Sequence, residues 1–392
     1  MKYIIALILS ACFIGLRAQE FNMFSETDIS FKSDYRFDTL QLHLAVPLVH
    51  SRSSHRSKFP LIILLDQQNM TTFNYNIRSI NLLTGVGAQM PQSIVVGVPF
   101  DPEMRTSFTS RKVPEGDSLS GLESTRRMIV EELIPMLKER FGNIGQVLLF
   151  GHSRTGYLAN YIATQSSEDF SVIVSCSGFY DDDIKADILR LSEAPREKEF
   201  SYYMTAGTGW EESTYREEFE AMQDALIGKG QTAMFEWNYL PVSSANHMTN
   251  YGLSVPRVLA DHYRNYPELL NSWFNERGAQ ESGSTVGGIL EADIKSRLGL
   301  TPQVLHIFSI ASHYYQQSDY AATRSVLRMG LEYYPKELMI RVFEAEVYAA
   351  EGRIEESEKI LREVEMGVMG VGYDEGEVGE VLEWVREIRE MR

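Results

Sequence analysis

The chain has 392 residues, with 37 Lys+Arg against 54 Asp+Glu and a formal net charge of −17. A hydrophobic fraction of 44% supports folded cores, which disordered chains lack, and the length suggests about two domains. The acidic balance argues against a nucleic-acid partner, and two cysteines exclude a disulfide framework or a cysteine-rich zinc site.

At the N-terminus, Met1-Lys2 precedes an uncharged apolar run from Tyr3 to Leu16, followed by Arg17-Ala18-Gln19. A charged start, a short apolar run and a small residue predict a signal segment over 1–18 and an exported protein, periplasmic or secreted. The run is shorter than the ~20 residues that a spanning helix needs. Leu9-Ser10-Ala11-Cys12 also fits a lipoprotein cleavage box, although Phe13 to Leu16 continues the apolar run past the cysteine. Once the segment is removed Cys176 remains, and its Ser-Cys-Ser setting reads as packing.

The body, 19–277, alternates strands and helices. Leu61–Leu65, Ser93–Val98, Gln146–Phe150, Ser171–Ser175 and Tyr202–Thr205 are apolar runs that predict buried strands. Helical spacing is clearest from Leu122 to Arg140 and from Gly156 to Thr164. Apolar strands joined by helices predict an α/β fold with a doubly wound, mostly parallel sheet. The partly alternating stretch Phe37–Val49 predicts antiparallel strands at one edge.

Gly151-His152-Ser153-Arg154-Thr155-Gly156 follows one predicted strand directly and opens a helix. A serine on such a turn sits in strained backbone with its oxygen clear of the sheet, and the helix N-terminus points at it. The pattern is G-x-S-x-G except that Thr155 replaces the second glycine, where a β-branched side chain is expected to crowd the helix–strand crossing. The chain order for this motif is Ser, acid, His. His247, in a polar loop after the strand-like Met234–Leu240, is the candidate base. The acid should follow Tyr202–Thr205, which leaves Glu211 or Glu212. Asp181, Asp182 and Asp183 come one strand too early and read as pocket rim. The oxyanion would take the Arg154 N–H and a donor from Asp66-Gln67-Gln68-Asn69, with Gln68 first. Asp66, Gln67 and Arg105 are candidate substrate contacts.

These blocks, in order, resemble the esterase D / enterochelin esterase group of α/β-hydrolases, which also includes feruloyl esterases and mycolyltransferases. Phe59 to Asp66 is similar to the family's first sheet strand, with Gln67 where a glycine usually follows. Ser93 to Pro99 and Arg105 to Thr109 are similar to its Val-Gly-Ile-Pro strand and its Arg-Thr-Arg-Asp-Leu-Thr loop. Glu131 to Pro135 resembles the helix before the serine turn, and the His247 segment resembles its Thr-His block. The likeness covers roughly 35–275 and implies an α/β-hydrolase fold with serine esterase chemistry.

From 278 to 288 the composition shifts to Gly, Ser, Thr and Gln, which predicts a linker to a small all-α region, 289–392. Ser318-Asp319-Tyr320-Ala321 and Gly352-Arg353-Ile354-Glu355 align at an offset of 34, as do Ala311 with Ala345 and Tyr314 with Tyr348. That period is similar to the tetratricopeptide repeat. Such a region could serve as a protein-partner groove, a lid or a dimer contact. Residues 344–392 hold 15 acidic and 6 basic side chains, so over half of the net charge falls on a solvated helical face and not on the serine region.

The expectation is an exported serine esterase that cleaves a small-molecule or glycan-linked carboxylic ester through a Ser-His-Glu triad and an acyl-enzyme. An acyltransferase using the same residues, or a non-catalytic binding protein of this fold, are the alternatives. No metal site and no cofactor are expected.

Overall fold

The structure is a computed structural model that describes residues 23–36, 38–229, 234–370 and 372–391. The expected signal segment and Cys12 lie outside them. Two compact units form: Phe24–Pro47 with Phe59–Tyr263, and Met23 and Leu48–Lys58 with the chain from Arg264 onward.

The first unit is built on one eight-stranded sheet. Its strands are β1 (Phe24–Lys32), β2 (Thr39–Pro47), β3 (Phe59–Leu65), β4 (Ile94–Val98), β5 (Ile144–His152), β6 (Val172–Cys176), β7 (Phe200–Gly207) and β8 (Phe235–Val242), in spatial order β1-β2-β4-β3-β5-β6-β7-β8. The antiparallel pairs are β1 with β2 and β2 with β4, and every other neighbour is parallel. The predicted stretch Phe37–Val49 contains β2, and its antiparallel partner β1 lies before that stretch. β3, β4 and β6 are buried at every residue, as expected of parallel strands covered on both faces. Pro60 lacks a ladder N–H, and the β3–β5 register shifts there, between Phe59 and Leu61.

Helices α1 (Met70–Thr84), α2 (Gly121–Arg127), α3 (Ile134–Phe141), α4 (Arg154–Ser166), α5 (Asp182–Glu193), α6 (Ser213–Ile227) and α7 (His247–His262) connect or follow the strands. A π-helical turn, Met128–Leu133, joins α2 to α3 just before Pro135, whose missing N–H interrupts the ordinary ladder.

In the second unit the helices are α8 (Asn265–Asn275), α9 (Val286–Leu298), α10 (Val304–Gln316), α11 (Tyr320–Tyr333), α12 (Leu338–Ala350), α13 (Ile354–Gly367) and α14 (Glu375–Glu390). The α12–α13 pair begins 34 residues after the α10–α11 pair at both helices, 304 to 338 and 320 to 354. Val342, Leu361, Val364, Val381 and Ile388 share one core across α12, α13 and α14.

The division differs from the expected boundaries at 277 and 278–288. α8 belongs to the helical unit, and the Gly-Ser stretch is packed rather than free. Gly283 N–H donates to Asp319 and Gly287 N–H to Ser325 Oγ, while a Cβ on Gly287 would lie 2.3 Å from the Ser325 carbonyl. Glycine there allows close helix approach, a role that composition alone does not separate from a flexible connector. Leu48–Lys58 also joins this unit. Arg52 donates to Glu337 and Glu377 and lies over the Tyr373 ring at 3.6 Å, and Ser57 Oγ donates to the Tyr333 carbonyl.

Candidate active site

The chemistry-bearing residues of the first unit collect at the carboxyl ends of parallel strands, where open α/β sheets hold their ligands. Ser153 follows β5 with φ 56° and ψ −114°, in the positive-φ region that side chains other than glycine avoid. Its N–H donates to the Cys176 carbonyl on β6, and α4 starts at Arg154. The turn is tight enough that a Cβ on Gly151 would sit 2.0 Å from the Thr155 carbonyl. Close approach of α4 to the next strand falls at Gly156, where a Cβ would meet Gly178 at 2.9 Å.

Thr155 therefore does not crowd that crossing, contrary to expectation. Its hydroxyl accepts from the His152 N–H at 2.9 Å and donates to Asp66 Oδ2 at 2.7 Å. Asp66 follows β3 with φ 60° and takes Arg105 on both oxygens, Nε at 2.7 Å and Nη2 at 2.5 Å. Arg105 Nη2 also donates to the His152 carbonyl at 3.1 Å. Gln67 is buried, with its N–H on the Val98 carbonyl and its side-chain amide on the Leu65 carbonyl. Of the expected substrate contacts, Asp66 and Gln67 have polar groups engaged in this loop and Arg105 is paired with Asp66. They frame the loop after β3 against the serine turn.

Gln68 is exposed, and its Oε1 accepts from the Phe100 N–H at 3.0 Å. Among the described residues, neither the Gln68 N–H nor the Arg154 N–H has a hydrogen-bond acceptor. Asn69 caps α1 by accepting from the Thr71 N–H, so the loop is anchored on its far side too.

His247 is not in a loop but is the first residue of α7. The preceding Asn246 forms a capping box with Thr249, which sets where the helix begins. His247 Nδ1 lies 2.6 Å from Glu212 Oε1. Of the two glutamates left open by the sequence, Glu212 is wholly buried and Glu211 is exposed. Glu212 Oε2 accepts from Ser177 Oγ at 2.5 Å and from the Gly207 N–H at 2.9 Å. Burial alone would raise this carboxyl. The hydrogen bonds from His247, Ser177 and Gly207 outweigh it and hold the group below its ordinary range.

Several neighbours carried no signal in the sequence. Ser177, at φ 44° after β6, receives Asn250 Nδ2 at 2.7 Å from one turn along α7. His152 Nε2 is 2.8 Å from the His247 carbonyl, and its ring stacks on Tyr251 at 5.5 Å. Burial pushes the His152 imidazole down to about 4, so it is neutral at physiological pH. Tyr215 on α6 stacks on the His247 ring. Trp210 and Met248, each adjacent or nearly so to a member of the Glu212–His247 pair, are 86% and 73% exposed. Cys176 is buried, and burial raises its thiol to about 12, which makes it unreactive. Among the described residues, no group of three His, Cys, Asp or Glu side chains is placed to hold a metal ion.

A strained serine opening a helix, a buried carboxylate on an imidazole, and a mostly parallel sheet beneath them define an α/β-hydrolase. Residues 39–247, more than half of the chain, match the family described as "Putative esterase", and the protein belongs to that esterase family. No curated protein matches the chain by sequence. Among solved structures it is similar to an uncharacterised protein from Capnocytophaga ochracea (TM-score 0.59, 16% identity, covering 93% of this chain and 100% of that one). It is also similar to an IroE-like serine hydrolase from Shewanella oneidensis (TM-score 0.60, 15% identity, 78% and 98% covered). The BES protein from Bacillus cereus shares the fold at TM-score 0.51 and 19% identity, over 64% of this chain and 99% of that one. At these identities the likeness is one of fold.

Proposed function

We propose that the protein is a serine esterase in which Ser153 is the nucleophile, His247 the general base and Glu212 the acid that orients it. The observation that carries this reading is the 2.6 Å hydrogen bond between His247 Nδ1 and buried Glu212, in a site whose serine is strained at φ 56°. The carboxylate keeps the His247 proton on Nδ1 and leaves Nε2 to take the Ser153 proton as Oγ attacks an ester carbonyl. The N–H groups of Arg154 and Gln68 receive the oxyanion. The tetrahedral adduct collapses to an acyl-enzyme as His247 returns its proton to the departing alcohol, and water activated by the same imidazole then releases the acid. Export through the segment 1–18 puts this reaction outside the cytoplasm.

The test uses the purified full-length protein, an aryl ester of a short-chain acid and a fluorophosphonate probe. Ser153→Ala should lose both labelling and turnover. Glu212→Gln should lower kcat about 10³–10⁴-fold, whereas Glu211→Gln should stay near wild type. A wild-type protein that neither labels nor turns over would overturn the reading and leave a non-catalytic binding fold.

A further inference from the structure

The His247 imidazole is gripped by more than its carboxylate. The Tyr215 ring lies against it at 4.9 Å between centroids and 20° from parallel, and the His152 ring packs at 4.7 Å and 42°. Tyr215 is three residues beyond Glu212, which caps α6, so one helical turn delivers the carboxylate to the edge of the imidazole and the phenol to its face. Burial first, and then the nearby Glu212 charge, raise Tyr215 above the ordinary phenol value, so it is a neutral hydroxyl at working pH.

Resting on the assignment of Ser153 and His247 above, we propose that Tyr215 is a positioning residue for the base. Its ring, packed on the imidazole, keeps His247 aligned with Glu212. A ring without the hydroxyl should serve as well, and a side chain without the ring should not.

Tyr215→Phe keeps the ring and removes the hydroxyl, and Tyr215→Ala removes both. In the full-length protein, Tyr215→Phe should keep kcat on an aryl ester within about 2-fold of wild type, because the ring that packs on His247 remains. Tyr215→Ala should lower kcat on an aryl ester by up to about 10²-fold with KM little changed, since the imidazole rather than the substrate has been loosened. Equal thermal midpoints would show that both variants are folded, and if the alanine variant is not, Tyr215→Leu replaces it. A Tyr215→Phe protein that loses as much kcat as the variant without the ring, or a variant without the ring that keeps wild-type kcat, would overturn the proposal while leaving Ser153 standing. A wild-type protein inert to the probe would remove the nucleophile assignment and this proposal with it.

Discussion

Thr155 Oγ1 stands 2.7 Å from Asp66 Oδ2, tying the helix that follows Ser153 to the loop that ends β3. Both neighbouring turns are strained, with Ser153 at φ 56° and Asp66 at φ 60°. Non-glycine residues stay in such conformations only where surrounding contacts over-determine them. Here those contacts are the Thr155 hydroxyl and the two-pronged Arg105–Asp66 pair.

Thr155→Val keeps the shape but strands the His152 N–H and leaves Asp66 Oδ2 with Arg105 as its donor. The expected cost is about 1–3 kcal/mol of stability, the penalty for a buried group left without a partner. Thr155→Ser should recover most of it. Denaturant midpoints of the three proteins measure this, and a valine variant as stable as wild type would show that the hydroxyl bridge contributes nothing.

Arg52 is the corresponding tie within the helical unit. Its guanidinium meets Glu337 and Glu377, lies over Tyr373, and is almost wholly buried. Arg52→Ala leaves the buried Glu337 carboxylate without its cation and should cost about 3–5 kcal/mol. Chemical denaturation followed by far-ultraviolet circular dichroism should show the helical transition moving to lower denaturant.

The third expectation concerns pH. His306, in the core of the helical unit, is fully buried with no partner on Nε2, and burial drives its imidazole down to about 3. In the unfolded chain the group titrates near the ordinary histidine value of about 6.5. Below that value the unfolded state binds the proton and the folded state does not. The His306 contribution is therefore complete above pH 6.5 and declines as pH falls toward 3, at about 1.4 kcal/mol per pH unit. His152 adds the same sign in the other unit, down to about 4. Thermal midpoints between pH 7 and 5, a window above ordinary carboxylate titration, should fall less steeply for His306→Gln than for wild type. Parallel slopes would refute the assignment.

Much of the frame was legible in the chain because local pattern and burial coincide there. β3 and β5 read as uninterrupted apolar runs since both faces of a parallel sheet are covered, and β2 reads as alternating at the edge. The serine turn was legible because glycines must stand where backbone approaches backbone, and Gly151 and Gly156 do so. Glu211 and Glu212, by contrast, are adjacent charges with identical local chemistry. A short 3-10 turn, Trp210–Glu212, sends one into the protein and the other to solvent, and nothing in the local sequence signals which.

The alternation of strands and helices, the turn that carries Ser153 and the placement of His247 beyond it follow from short-range rules of periodicity, glycine placement and helix capping. That Glu212 receives His247, that Thr155 reaches Asp66 across 89 residues, that Tyr215 lies on the imidazole and that Arg52 belongs with Glu337 and Glu377 emerges only on folding. Each of those partnerships joins different elements of the fold. Their partner is chosen by sheet order and helix packing, which a local window of residues does not contain.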